Sequence, residues 1–332
     1  MTPLRVAVVG CGDIAAVHLD AILRSGEELV GVCDVHAERR AAASALGSCP
    51  GFADLTAMLD AVAPDVVHIC TPHHRHADLA AQCLTRDVAV LLEKPLAHTV
   101  EDGERLAAVA ENSRAVLGVC FQNRYNDTAQ KVRELLDGGG LGRVLGARAD
   151  VTWFRDAAYY AQRDWRGRWA TAGGGVLMNQ AIHTLDLLQW FLGPVTDVRG
   201  TVATLALPDV IEVEDTAALH LRHGAVRSVF YATNGHMENT PPTIEIVTER
   251  ARLRLDTDLT VAHDDGRVEV FHPIAVASGE RSYWGASHGL LIDDFHRHVR
   301  AGERFWIDAA AALASLRVIH ATYDQSPRRL SA

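Results

Sequence analysis

The chain has 332 residues, of which 48% are hydrophobic and 22% are charged, and its formal net charge at pH 7 is −10. This length suits two domains, and the acidic balance argues against a broad surface for nucleic acid or for anionic membranes. No apolar run approaches the roughly 20 residues that span a bilayer, and a strand pattern begins almost at the first residue, which leaves no room for a signal peptide. We therefore expect a globular protein in the cytoplasm.

Short apolar runs alternate with helical patterns in the first 121 residues. The runs are rich in β-branched residues and apolar on both faces, which is typical of a parallel sheet covered on both sides. They are Leu4–Val9, Leu29–Cys33, Val66–Cys70, Val88–Leu92 and Val116–Cys120. Helical patterns lie between them at Ala37–Leu46, Ala77–Thr85 and Val100–Asn112. This alternation predicts a doubly wound α/β sheet, so we expect a Rossmann domain over residues 1–121.

Longer runs with period-two patterning follow and predict a mostly antiparallel sheet. They are Val144–Thr152, Val198–Ala206, Ala217–Leu221, Val226–Tyr231, Thr243–Thr248, Ala251–Leu255 and Val268–Phe271. Helices are predicted over Thr128–Leu136, Val176–Phe191, Gly289–Arg300 and Ala309–Asp324. We expect an α+β domain over residues 122–332, with helices on one face of a large open sheet whose other face meets water or another subunit.

The first predicted strand ends in a G-x-G-x-x-A turn, Gly10-Cys11-Gly12-Asp13-Ile14-Ala15. Between a strand and a helix, this pattern is typical of dinucleotide binding. Its glycines let the backbone approach a pyrophosphate, and the helix N-terminus offers N–H groups to the phosphates. We predict Gly10, Gly12, Asp13 and Ile14 as cofactor contacts.

Asp34 ends the second predicted strand, where an acid binds the ribose 2′-hydroxyl of NAD. A carboxylate there repels the 2′-phosphate of NADP, which favours NAD(H) over NADP(H). Arg39 and Arg40 follow closely and leave NADP(H) open. Either choice implies a nicotinamide-dependent oxidoreductase.

The cysteines and a histidine cluster raise the question of a metal. All six cysteines lie in the first 120 residues and no two form a Cys-x-x-Cys pair, so we expect buried, reduced thiols. The cluster His73-His74-x-His76 has no acid or cysteine at ligand spacing. We therefore predict no metal site.

Lys94 is one of only two lysines among 32 basic residues, the other being Lys131. It lies in Glu93-Lys94-Pro95 at the end of a predicted strand, beside the expected nicotinamide. Unlike arginine, lysine gives up its proton readily when it is desolvated or lies near another cation. We predict proton exchange between Lys94 and a substrate hydroxyl; the alternative is a surface lysine paired with a glutamate.

A second polar group follows Gly173-Gly174-Gly175. Asn179, His183 and Asp186 share one face of the predicted helix, which suggests a site. A core histidine paired with Asp186 is the alternative.

Together, the glycine turn, Thr71-Pro72, Glu93-Lys94-Pro95 and the Gly-Gly-Gly…His183-x-x-Asp186 stretch resemble the glucose–fructose oxidoreductase/inositol dehydrogenase/MocA family, over residues 4 to about 326. The resemblance implies a Rossmann domain followed by a domain with a large open sheet, often used for dimer or tetramer contacts. It also implies NAD(H) or NADP(H) and hydride transfer at a secondary hydroxyl of a sugar, nucleotide sugar or cyclitol.

The resemblance also assigns roles by position. Lys94 is the proton-transfer residue and His183 contacts the reacting hydroxyl. The remaining cofactor contacts that it implies are Thr71, Pro72, His76, Glu93, Lys94, Gln122, Trp165 and Arg166. The substrate contacts that it implies are Lys94, Arg124, Asn179, His183, Asp186 and His288.

One departure is Asn179, where many members of the family have aspartate. Asparagine cannot stabilise an imidazolium, so proton transfer rests more on Lys94. This disfavours an inositol dehydrogenase proper. Two other activities stay open. One is a glycosidase that uses bound NAD for transient oxidation, and the other is a non-catalytic NAD sensor.

Overall fold

A computed structural model describes residues 2–273 and 287–326. Contacts divide the chain into two compact units. The first unit comprises residues 1–122 and 287–313, and the second comprises residues 123–286 and 314–332. The sequence predicts one boundary at 121/122 and assigns residues 287–313 to the second domain. No helix of the described residues is long and apolar enough to cross a membrane.

The first unit contains a six-stranded sheet in which every pair of neighbouring strands is parallel. Its strands are β1 (Arg5–Val9), β2 (Glu28–Cys33), β3 (Gly51–Phe52), β4 (Val66–Ile69), β5 (Ala89–Leu92) and β6 (Leu117–Val119), in the order β3-β2-β1-β4-β5-β6. Its helices are α1 (Ala15–Ser25), α2 (Ala37–Gly47), α3 (Leu55–Val62), α4 (His76–Leu84) and α5 (Val100–Asn112). The predicted doubly wound sheet is confirmed.

Residues 287–313 lie with the first unit because aromatic side chains anchor them to β6. Phe295, in α10 (Ser287–Ala301), and Phe305 are both within 1% of full burial. A Cβ at Gly118 of β6 would lie 2.7 Å from each of these rings, so glycine is needed there. The N–H of Val119 donates to the carbonyl of Ile307 at 2.9 Å.

The second unit contains an eight-stranded sheet with the order β14-β13-β12-β11-β7-β10-β9-β8, and only β7 and β10 pair in parallel among its described strands. They are β7 (Val144–Thr152), β8 (Asp197–Ala203), β9 (Thr216–His223), β10 (Val226–Thr233), β11 (Thr243–Thr248), β12 (Ala251–Leu255), β13 (Leu259–His263) and β14 (Val268–Phe271). The other helices are α6 (Asp127–Asp137), α7 (Ala157–Ala161), α8 (Trp169–Ala172), α9 (Ile182–Leu192) and α11 (Ala309–Gln325), which begins in the first unit and ends in the second.

One face of this sheet is buried and the other is open. Along β9 and β10 buried residues alternate with exposed ones, as expected for a sheet covered on one side. On the open face Val229 is 45% exposed and Tyr231 43% exposed. The predicted open-faced, mostly antiparallel sheet is confirmed.

Candidate functional site

The glycine turn leaves β1 through a conformation that only glycine tolerates. Gly10 has a φ of +86°, and a Cβ there would lie 2.7 Å from the carbonyl carbon of Cys70. At Gly12, by contrast, no described atom beyond the adjoining residues lies within 4 Å of where a Cβ would be. The first turn of α1 has no acidic residue and no side chain caps it. Open space beside these N–H groups fits a pyrophosphate.

Asp34 connects the end of β2 to the glycine turn. Its Oδ2 accepts a hydrogen bond from the backbone N–H of Cys11 at 2.7 Å, and its Oδ1 accepts one from His36 at 2.7 Å. The guanidinium of Arg40 donates to the Asp34 carbonyl at 2.6 Å. Because each carboxylate oxygen has two lone pairs, both keep one for a further donor such as a ribose hydroxyl.

His76 bridges the ends of β4 and β5. Its Nε2 lies 2.8 Å from the carbonyl oxygen of Thr71, and its Nδ1 lies 2.7 Å from that of Pro95. Burial lowers the pKa of His76. The hydroxyl of Thr71 and the side-chain oxygen of Gln122 are buried without a hydrogen-bond partner among the described residues, so both have capacity for a ligand.

Glu93 is buried directly before Lys94, at the carboxyl end of β5. Its Oε1 accepts from His18 Nε2 at 3.0 Å and lies 3.6 Å from His288 Nε2. Its Oε2 accepts from the backbone N–H of Lys94 at 3.3 Å. Burial alone raises the pKa of Glu93, but these histidines hold it well below its usual value. A charged Glu93 therefore fixes the backbone of Lys94, whose side chain is half-buried.

Sequence reasoning missed His18, His68 and His296, which lie in a row behind Glu93. The available signal was His68, a polar residue between the apolar residues of a fully buried strand. Among the described residues, one group has metal-ligating atoms within 4.8 Å of one another, namely His18, Glu93 and Cys120. The His18–Glu93 hydrogen bond already joins two of these atoms.

In the second unit a buried carboxylate holds the Gly173–Gly175 turn. Glu214 accepts from the backbone N–H groups of Gly175 at 2.8 Å and Leu177 at 2.9 Å, and from the hydroxyl of Tyr323 at 2.8 Å. Any side chain at Gly175 would collide with the Glu214 backbone. Burial raises the pKa of Glu214 from 4.5 to about 7. Glu214 was missed because nothing local in its sequence marks it.

The predicted helix over Val176–Phe191 begins with a π-helical turn, Leu177–Ala181, and continues as α9. The wider turn changes the angular spacing, so the α-helical periodicity that aligned Asn179 with His183 does not apply there. Both residues are nevertheless half-buried among buried neighbours. They are thus the accessible polar groups of this stretch, whereas Asp186 is not accessible.

Asp186 lies 1% exposed and pairs with Arg124. Arg124 Nε donates to Oδ2 at 2.8 Å and Nη2 donates to Oδ1 at 2.6 Å. Burial raises the pKa of Asp186, and Arg124 opposes this. Both residues were predicted as substrate contacts; the structure pairs them with each other, and their contact with a substrate stays a prediction.

Tyr159, which sequence reasoning missed, connects Arg166 to the π-helical turn. The Arg166 guanidinium lies 4.3 Å from the centre of the Tyr159 ring and 5.9 Å from that of Trp165. The hydroxyl of Tyr159 accepts from the amides of Asn179 and Gln180, each at 3.2 Å. The structure therefore brings Trp165, Arg166 and Asn179 together within one unit.

Comparison with known proteins identifies the fold of both units. Residues 4–121 match the family described as "Oxidoreductase family, NAD-binding Rossmann fold", and residues 129–254 match the "GFO/IDH/MocA C-terminal domain". The WlbA dehydrogenase from Bordetella pertussis, crystallised with NADH and UDP-GlcNAcA, has a similar structure. Its TM-score is 0.85 at 30% identity, and the match covers 97% of this chain and 96% of that one.

The sequence relatives include several dehydrogenases. D-glucoside 3-dehydrogenase of Escherichia coli is 34% identical over 198 residues; the match covers 58% of this chain and about half of that protein's length, 55%. D-apiose dehydrogenase of Paraburkholderia graminis is 30% identical over 339 residues, covering 96% of this chain and 86% of that protein. With the two family matches, this near-complete relationship shows that the chain belongs to the GFO/IDH/MocA family of oxidoreductases.

Proposed function

We propose that this chain transfers hydride between a nicotinamide cofactor and a secondary hydroxyl or ketone of a sugar, nucleotide sugar or cyclitol. The observation that carries the proposal is Lys94, held through its backbone by buried Glu93 at the end of β5. Relatives named for D-glucoside, D-apiose and inositol support this substrate class.

Lys94 is the proposed proton donor and acceptor. When alcohol is oxidised, a neutral amine takes the hydroxyl proton as hydride leaves the carbon, and ketone reduction reverses both transfers. The bound cofactor supplies the hydride acceptor or donor. We assign to His183 a hydrogen bond to the reacting hydroxyl, and to Asn179 an orienting role through Tyr159.

We propose NAD(H) rather than NADP(H). The carboxylate of Asp34 lies beside the glycine turn. Arg40 donates to the backbone carbonyl of Asp34, and this hydrogen bond engages a guanidinium that the 2′-phosphate of NADP would need. Gly10, Gly12, Asp13 and Ile14 surround the proposed pyrophosphate position. One relative is a D-xylose 1-dehydrogenase named for NADP(+), so the family uses both cofactors.

Net hydride transfer by the purified protein tests this function. Secondary polyols, sugars and nucleotide sugars are offered with NAD and with NADP, and nicotinamide absorbance at 340 nm is followed. We expect stoichiometric reduction of NAD with at least one member of the panel. Glycoside cleavage without net NADH would instead indicate the NAD-dependent glycosidase, and cofactor binding without turnover on any substrate would indicate a sensor.

We further propose a homodimer or homotetramer formed through the open face of the second unit's sheet, in the cytoplasm. Exposed Val229 and Tyr231 lie on that face, flanked by charged residues such as Arg148 and Glu245. The six free cysteines suit a reducing compartment. Light scattering on wild type and on Tyr231→Asp tests the assembly: a monomeric wild type would contradict it.

A further inference from the structure

Three imidazoles form a continuous row inside the first unit. His18 Nδ1 lies 2.9 Å from His68 Nδ1, and His68 Nε2 lies 3.0 Å from His296 Nε2. The three side chains are at most 1% exposed. The inner end of the row is Glu93, which accepts from His18 Nε2 at 3.0 Å. Every ring nitrogen between Glu93 and His296 Nε2 therefore takes part in a hydrogen bond.

Charge fixes the direction of these bonds. A neutral imidazole has one N–H donor and one acceptor nitrogen. Glu93 is ionised and can only accept, so His18 donates from Nε2, and a neutral His18 then accepts at Nδ1. His68 must then donate from Nδ1 and accept at Nε2, and His296 must donate from Nε2. Burial lowers the pKa of His68 and brings that of His296 to about 4, which keeps both rings neutral.

The outer end of the row faces a buried acid that is paired with a partly exposed arginine. By this polarity His296 Nδ1 is a bare acceptor, and it has no hydrogen-bond partner among the described residues. Glu27 Oε1 lies 3.8 Å from this nitrogen, and the Glu27 side chain is 4% exposed. Glu27 forms an ion pair with Arg300, whose side chain is 28% exposed. Asp293 is the other acid near this end, and Cys120 and His288 lie near the inner end.

We propose that Glu93, His18, His68 and His296 form a proton relay between Lys94 and solvent at the Glu27–Arg300 pair. This rests on the proposed function, in which the reaction ketone + NADH + H⁺ → alcohol + NAD⁺ consumes a proton at Lys94. Both electrons travel with the hydride, so the row moves protons only. The chain's own residues thus resupply Lys94 through the interior of the unit.

The transfers balance along the row. In ketone reduction a proton from the Glu27 side binds His296 Nδ1, and His296 passes its Nε2 proton to His68. His68 passes its Nδ1 proton to His18, and His18 passes its Nε2 proton to Glu93. Glu93 then reprotonates Lys94, which has given its proton to the substrate oxygen. Alcohol oxidation runs each transfer backwards and releases one proton at the surface.

A purely structural role explains the row less well. His68 lies in β4 between Val67 and Ile69, both fully buried, where an apolar residue would avoid desolvating a polar ring. The hydrogen bonds offset that desolvation only while all three rings are present. A row of buried rings that ends at Glu93, the residue directly before Lys94, favours proton transfer over a purely structural role.

Buffer dependence of turnover tests the relay. In His68→Phe the row is cut in the middle, so turnover at low buffer should fall at least tenfold and rise with the concentration of added imidazole, while wild type stays independent of it. His223→Phe is the matched control, since this buried histidine belongs to the second unit, where it binds Gly193 and Ser228. A folded His68→Phe with wild-type turnover and no response to imidazole would overturn the relay, even if Lys94 proves essential.

Nitrogen-15 NMR of the ligand-free wild type gives a second test that needs no activity. We expect the Nε2–H tautomer for His18 and His296 and the Nδ1–H tautomer for His68 at pH 7. An Nε2–H tautomer at His68, or a doubly protonated ring in the row, would contradict the relay. Since this result depends on no substrate, it tests the polarity of the row separately from the proposed oxidoreductase function.

Discussion

Arg124 and Asp186 form a buried bidentate ion pair, with hydrogen bonds of 2.8 and 2.6 Å between guanidinium and carboxylate. The pair fixes the 3-10 turn at Gln122–Tyr125 to α9, the helix that carries His183. The proposed site residue His183 therefore lies on a helix that is held by a largely buried charge pair.

Removing one member of this pair should destabilise the protein strongly. Arg124→Ala leaves Asp186 buried and unpaired, so we expect a loss of about 3–5 kcal/mol in unfolding free energy. Arg124→Lys keeps the charge but loses the bidentate geometry. Its unfolding free energy should therefore lie between those of wild type and Arg124→Ala. Urea unfolding followed by tryptophan fluorescence measures both; a loss below about 1 kcal/mol for Arg124→Ala would show that the pair is not structural.

Glu214 should make stability depend on pH. Its pKa is raised from 4.5 to about 7, so between these values the folded protein holds a proton that the unfolded chain has lost. This contribution is complete below pH 4.5 and is lost as the pH rises through 7. In Glu214→Gln the side chain cannot titrate. Its NH2 group replaces one of the two oxygens, so one of the backbone N–H groups of Gly175 and Leu177 faces a donor in place of an acceptor. We expect the variant to be less stable at pH 5 and the difference from wild type to narrow by pH 7.5. A difference that is constant over this range would contradict the raised pKa.

The two glycines of the turn should respond differently to alanine. Gly10→Ala forces a side chain into positive φ and against Cys70, so we expect at least about 2 kcal/mol of destabilisation. Gly12→Ala meets no described atom, so stability should change by less than about 0.5 kcal/mol while NAD affinity falls. Calorimetric titration with NAD and thermal unfolding separate the two; unchanged NAD affinity in Gly12→Ala would place the pyrophosphate elsewhere.

Asp34 should set the choice between cofactors. Asp34→Ala removes the acceptor proposed for the ribose hydroxyl, and we expect NAD to bind roughly tenfold to a hundredfold more weakly. The substitution also frees the N–H groups of Cys11 and His36, so the ratio of the NAD and NADP dissociation constants is the quantity to measure. Asp34→Asn is a smaller change, and we expect it to alter this ratio less than Asp34→Ala does. A ratio that does not move would refute the ribose assignment.

Strands with a long apolar signal were predictable from sequence, and those without it were not. The five predicted parallel strands are all present, but β3 has only two residues and was missed. In the second unit β13 was also missed. The position of residues 287–313 depends on Phe295 and Phe305 meeting β6, a packing relationship that local pattern does not encode.

Site residues were likewise predictable only where the local sequence carries a signal. Those within recognisable motifs, such as Gly10, Asp34 and Lys94, were named from sequence. Tyr159 and Glu214 were not, because their partners lie 20 or more residues away and only folding joins them. The π-helical turn also escaped detection, since periodicity assumes an α-helix throughout.

The central claim is that Lys94 transfers the proton. It is tested most directly by comparing the turnover of Lys94→Ala with that of Lys131→Ala. Lys131 is the chain's other lysine and forms an ion pair with Glu134 on α6. With the best substrate and saturating cofactor at neutral pH, we expect Lys94→Ala to lower kcat by about 10²–10⁴ and Lys131→Ala to match wild type. A Lys94→Ala enzyme with near-normal kcat would contradict the account.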